Sequence, residues 1–171
     1  MVKKFLFSII GILFLITGCD DTESRKSAED IKEIVHDYTV GSFEDVSASI
    51  TSHELIVTNS NNEKKTYELP EDEFFVSIAP FIETTHPCEI HSLTSCQGEL
   101  VEEDFEVYIE DTDGNIILDE TVTSFENGFI DLWLPREKNL QISIKHKGKT
   151  ATSEISTFEG DNTCITTMQL L

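Results

Sequence analysis

Basic side chains are scarce in this sequence, with 12 Lys and Arg against 33 Asp and Glu in 171 residues. A surface so acidic repels nucleic acid and anionic headgroups and draws cations near, which excludes a DNA or RNA partner. Several hydrolase signatures are missing as well. There is no Gly-x-Ser-x-Gly elbow, no His-Glu-x-x-His helix and no phosphate-binding Gly-rich loop. Paired carboxylates are too common in such a chain for any pair to be singled out as catalytic. Long repeats and low-complexity tracts are also absent.

The apolar run Phe5–Ile16 is too short to span a bilayer comfortably as a helix, but it has the length of a signal-peptide core. Lys3 and Lys4 precede it, and Leu15-Ile16-Thr17-Gly18-Cys19 follows as a lipobox. Residues 1–18 therefore read as a lipoprotein signal peptide, with Cys19 the lipidated residue that holds the protein to the membrane. The expected location is the extracytoplasmic face of the membrane, and, if the envelope is Gram-negative, Asp20 resembles the retention signal that keeps a lipoprotein on the periplasmic side of the inner membrane. Removing Lys3 and Lys4 leaves ten basic side chains against the same 33 acidic ones. Residues 19–26 are polar and charged and read as a tether.

The expected fold is α+β, mostly β. Ser27-Ala28-Glu29-Asp30 forms a capping box, Ile31, Ile34, Val35 and Tyr38 follow at helical spacing, and Gly41 can end the helix. Glu54–Thr58 and Lys64–Leu69 flank the turn-rich Asn59-Ser60-Asn61-Asn62 as a hairpin. Phe74–Ile82 adds a strand that Pro80 bends or places at an edge. These elements make residues 27–82 a small N-terminal α+β region. Residues 83–171 read as a cysteine-bearing loop followed by six short strands of an antiparallel, β-sandwich-like domain. Those strands are Phe105–Ile109, Ile116–Val122, Phe129–Leu134, Leu140–Ile144, Thr150–Phe158 and Thr163–Leu170. Trp133 and the phenylalanines read as core residues, and His36, His53 and His146 as surface ones.

With Cys19 assigned to lipid, Cys88, Cys96 and Cys164 remain, and an odd number of thiols cannot pair completely within one chain. Cys88 and Cys96 share one loop, Thr85–Gly98, with His86 and His91. If the final strand pairs beside that loop, all three sulfurs converge. Convergent thiolates favour soft ions. Cu(I) is satisfied by two or three sulfurs, whereas zinc usually takes four ligands, which His86 or His91 could complete. Met168 offers a thioether, but an extended strand would put it roughly 13 Å from Cys164, too far to share one ion. Glu83, Glu89, Glu99, Glu102 and Glu103 crowd the region and favour a bound cation. Two other readings stay open. Cys88 and Cys96 could close a structural disulfide in an envelope lipoprotein, or act as an exchanging pair in a thiol–disulfide oxidoreductase. The second lacks a Cys-x-x-Cys motif at a helix N-terminus.

Four segments carry a resemblance to a known family. They are Thr85-His86-Pro87-Cys88; His91-Ser92-Leu93-Thr94-Ser95-Cys96-Gln97-Gly98-Glu99-Leu100; Asn127-Gly128-Phe129-Ile130-Asp131-Leu132-Trp133-Leu134-Pro135-Arg136; and Asp161-Asn162-Thr163-Cys164-Ile165-Thr166-Thr167-Met168-Gln169-Leu170. Together they resemble the CueP family of periplasmic copper-binding proteins, from about Phe74 to the end of the chain. The resemblance implies a non-enzymatic protein that binds copper through Cys88, Cys96 and Cys164, serving copper tolerance and supplying copper to other exported proteins. It also implies a two-domain protomer and a homodimer formed through the N-terminal region. Cys19 departs from this pattern, since family members are soluble after export and this one is expected to be tethered. From the residues, Cu(I) is the expected cargo, His86 and His91 its auxiliary ligands. The thiols could also reduce arriving Cu(II).

Overall fold

Ser27 opens the first described element as the capping box requires. Its Oγ accepts the Asp30 N–H at 3.2 Å while its own N–H donates to Asp30 Oδ2 at 3.0 Å. The computed structural model describes residues 27–171, so the signal peptide, Cys19 and the tether lie outside the described residues. Helix α1 spans Ala28–Val40 and ends at Gly41, whose N–H reaches Asp37 O at 2.9 Å. Ile31 and Val35 are its buried apolar positions, one turn apart on one face. Among the described residues no helix is long and apolar enough to cross a membrane.

Eleven strands follow in this region. They are β1 (Val46–Ile50), β2 (Glu54–Asn59), β3 (Lys64–Glu68), β4 (Glu73–Ile78), β5 (His91–Ser92), β6 (Asp104–Asp111), β7 (Ile116–Thr123), β8 (Ile130–Pro135), β9 (Asn139–His146), β10 (Lys149–Ser156) and β11 (Cys164–Ile165). They form three sheets, ordered β3-β2-β1-β5, β10-β9-β6-β7 and β11-β4-β8. The fold is α+β and mostly β, as expected, and every pairing between named strands is antiparallel except that of β11 with β4.

Strand β4 joins the two halves of the molecule. Phe74, Val76 and Ile78 enter a core shared with β6, β8, β9 and β10, which is the sandwich. Phe75, on the opposite face, enters a second core with Ile31 and Val35 of α1 and Ala48, Ile50, Leu55 and Val57 of the first sheet. A strand covered on both faces reads as a continuous apolar run, as Phe74-Phe75-Val76 does. Its ladder partners are β8 and β11, so this strand of the N-terminal region is hydrogen-bonded into the C-terminal one. Asp131 on β8 ties α1 to the same sheet, accepting from Thr39 Oγ1 at 2.8 Å and Ser77 Oγ at 2.5 Å. Burial pushes its carboxyl above the ordinary range against those hydrogen bonds.

Several elements differ from expectation. Strand β1 is additional, and β4 stops at Ile78, just before Ala79-Pro80. The final strand shrinks to Cys164–Ile165 plus an isolated bridge between Phe81 and Gln169. His146 is buried rather than on the surface, because its Nδ1 hydrogen-bonds Asp104 O at 2.9 Å and its ring packs on Phe105. Phe43 and Phe158 are exposed and Trp133 is only partly buried, so not every aromatic belongs to the core.

Candidate metal centre

Apart from the two residues of β5, the loop from Ala79 to Gly98 is irregular backbone, and backbone polar groups must find partners or face water. Here a few side chains supply those partners. The Glu99 carboxylate accepts the N–H groups of Ile82 at 2.7 Å, Glu83 at 3.0 Å and Thr84 at 3.2 Å. Desolvation works to raise its pKa, but the three backbone donors outweigh it and hold the group below its usual value. Further along, Thr85 Oγ1 donates to Thr166 O at 2.6 Å. The carbonyl of Glu89 accepts from both Thr163 N and Cys164 N, at 3.0 and 3.1 Å. The loop is thus laced to the segment that carries Cys164.

Thr163 is the central tie. Its buried hydroxyl donates to Ile50 O at 2.6 Å and accepts the His91 N–H at 3.1 Å. His91 then begins β5, which pairs with β1, and Leu93 N donates to Ala48 O at 2.9 Å. A tight turn returns the chain so that Cys96 N–H reaches Ser92 O at 3.1 Å. Beyond it, Gly98 N donates to Asn127 O at 2.6 Å. A Cβ on Gly98 would lie 2.5 Å from Gly128 O, and Gly128 itself has φ of +77°. Two backbones that touch this closely, one in the left-handed region, require glycine.

The outcome is a cluster of four ligand atoms. The sulfurs of Cys88, Cys96 and Cys164 and a ring nitrogen of His91 all lie within 4.8 Å of one another. Cys88 and Cys164 are at disulfide-bonding distance, with Cα atoms 5.6 Å apart, and Cys96 Sγ is 3.7 Å from Cys88 Sγ. The bonded pair is therefore not Cys88 with Cys96, the pairing that spacing in the loop suggested. Cys164 and His91 are buried, whereas Cys88 and Cys96 are half-buried, so the cluster has an inner and an outer side. Around it pack Ala79 and Phe129.

His91 is the unusual member. Neither ring nitrogen has a hydrogen-bond partner within the protein, although the residue is fully buried. Desolvation, helped by repulsion from His86, lowers its pKa to about 4, so the ring is neutral at physiological pH. A neutral imidazole with a free lone pair is the form that binds a metal. His86 is half-buried outside the four-atom cluster, edge-on to Phe129 with ring centres 6.4 Å apart. Met168 lies in the sandwich core, away from the thiols. Of the crowding glutamates, Glu99 is committed to backbone donors and Glu103 to Lys147 Nζ at 2.8 Å.

A family model described as periplasmic copper-binding protein CueP matches residues 30–169. The chain belongs to the CueP family. A solved structure described as "Crystal Structure of S.CueP" is 37% identical, with a TM-score of 0.77 over 82% of this chain and 89% of that one. Comparison with curated proteins gives no match. The CueP match runs through both the N-terminal sheet and the sandwich, so it includes every residue of the cluster.

Three contributors escaped the sequence reading. Thr163 stands beside Cys164, but its role comes from partners on β1 and β5, distant in sequence. In sequence Glu99 is one negative charge among five, whereas in the structure it is the acceptor that fixes the loop. Phe129 was read as a core aromatic, and its place against the ligands became visible only with the Gly98–Gly128 contact.

Proposed function

We propose that this CueP protein captures copper as cargo outside the cytoplasm, holding Cu(I) through the thiolates of Cys88, Cys96 and Cys164 with His91 as a nitrogen ligand. The observation that carries the reading is the convergence of four soft or borderline donors within 4.8 Å, one of them a buried imidazole whose nitrogens have no other partner. Cu(I) needs few ligands and prefers sulfur, and the half-buried Cys88 and Cys96 leave a side for entry and exit. The family's description as periplasmic copper-binding supports the same conclusion.

Binding requires the reduced form, since a bond between Cys88 and Cys164 removes two of the three thiolates. The reduced pair can also convert arriving Cu(II). Two thiols form one disulfide and give one electron to each of two Cu(II) ions, yielding two Cu(I) and two protons released to solvent, and the site holds copper again only after an exported thiol reductant has reduced the pair. The copper then serves tolerance by sequestration or passes to another exported protein, and a lipid on Cys19 keeps the carrier at the membrane.

A second reading is favoured by one observation. Cys96 lies 3.7 Å from a sulfur of the Cys88–Cys164 pair, the arrangement of a thiol beside an exchangeable disulfide. Titration of Cu(I) into the reduced protein under anaerobic conditions, against a coloured chelator, separates the two. Capture should weaken sharply in Cys88→Ser, Cys96→Ser and Cys164→Ser. Wild-type protein that cannot compete with even a weak chelator would leave only the exchange reading.

A further inference from the structure

A histidine that binds a metal is ordinarily aimed by a hydrogen bond from its other ring nitrogen to a carboxylate, carbonyl or water. His91 has no such bond within the protein. Packing is what remains to fix its ring, because beyond its strand pairing the residue is held through its backbone N–H, which donates to Thr163 Oγ1. The ring contacts two aromatic side chains, Phe129 at 4.6 Å between centres and Phe75 at 6.3 Å, both fully buried.

Phe129 is the better placed of the two. It shares a small buried cluster with Ala79 and Cys164, against which Cys88 and Cys96 pack, and its ring contacts the imidazole directly. Its backbone is held on both sides. The Phe129 N–H donates to Asn127 Oδ1 at 2.9 Å, and its carbonyl accepts from Phe125 N at 2.9 Å. The Gly98–Gly128 contact then locks this turn to the chain two residues beyond Cys96.

We infer that Phe129 is a positioning residue, which aims the His91 imidazole at the three sulfurs by aromatic packing in place of a hydrogen-bonded outer shell. The inference rests on the copper reading above. It also has a chemical consequence. Without an acceptor on its far nitrogen His91 gains no added basicity, so it remains an exchangeable ligand suited to cargo that must leave. Tilted and offset aromatic contacts fix orientation while leaving both nitrogens bare.

A double-mutant cycle on the full chain tests this, reading Cu(I) affinity by anaerobic chelator competition in wild type, Phe129→Leu, His91→Leu and the double variant. Loss of a group that orients a ligand lowers metal affinity by about 10- to 100-fold, which is the fall expected for Phe129→Leu. The same substitution in the His91→Leu background should change affinity little, because its effect passes through the imidazole. Phe129→Met, which refills the space with a flexible side chain, provides a second variant and should behave like leucine. Copper-edge X-ray absorption should lose its nitrogen scatterer and keep its sulfurs. An equal fall in both backgrounds would make Phe129 a wall of the sulfur cage and overturn the inference. So would unchanged affinity in His91→Leu alone. Wild-type protein that binds no Cu(I) would instead overturn the copper reading.

Discussion

Replacing His91 by leucine should stabilise the metal-free protein while weakening its hold on copper, an opposition of signs that few buried substitutions produce. The wild-type ring buries two nitrogens without partners, and each such group costs about 1–3 kcal/mol. Leucine fills a similar volume, and hydrophobic refilling of that kind usually costs less than about 1.5 kcal/mol. Near neutral pH the net gain should be roughly 0.5–6 kcal/mol, two such groups less the repacking cost. Acid enlarges the difference. The folded-state pKa lies at about 4 against 6.5 for the ordinary side chain, so the unfolded chain takes up the proton first. Wild-type stability is then full above pH 6.5 and falls as pH drops from 6.5 to 4, by about 3 kcal/mol in all. The leucine variant lacks this term. Urea unfolding of copper-free protein at a series of pH values, with the thiols held in one redox state, measures both effects. A variant less stable than wild type at every pH, with the acid-dependent loss intact, would refute the reasoning.

Other expectations follow from the ties around the cluster. Thr163→Val keeps shape but strands Ile50 O and the His91 N–H, so unfolding in urea should show a loss of about 1–3 kcal/mol for each group. Glu99→Gln halves the acceptor oxygens facing residues 82–84; hydrogen exchange at those three amides should quicken, while the sandwich amides stay protected. Gly98→Ala drives a Cβ into the Gly128 backbone and should cost about 1–3 kcal/mol, seen as a lower Tm. In that variant Cu(I) affinity should fall as well, since Cys96 and Phe129 are held together by this contact.

Much of the fold was legible because its signals are local. The capping box at Ser27 and the hairpin across Asn59–Asn62 each depend on residues within a few positions. Strand β1 was not legible. Val46-Ser47-Ala48-Ser49-Ile50 has few large apolar groups, and it becomes a strand because β2 and β5 pair on either side. The parallel pairing of β11 with β4 was hidden for a related reason, since neither short segment encodes its partner. The site divides in the same way. Odd thiol count and loop composition point to Cys88, Cys96 and Cys164 and, without choosing between them, to His86 and His91, of which the structure brings only His91 into the cluster. Which two sulfurs lie closest is decided 76 residues apart, by the Glu89, Thr163 and Ser77 hydrogen bonds that place Cys164 beside the loop.

X-ray absorption at the copper edge of the reduced, Cu(I)-loaded protein tests the central claim most directly. The account predicts a first shell dominated by sulfur from Cys88, Cys96 and Cys164, with one nitrogen scatterer that disappears in His91→Leu. A shell made only of nitrogen and oxygen, unchanged in Cys88→Ser, Cys96→Ser and Cys164→Ser, would contradict it.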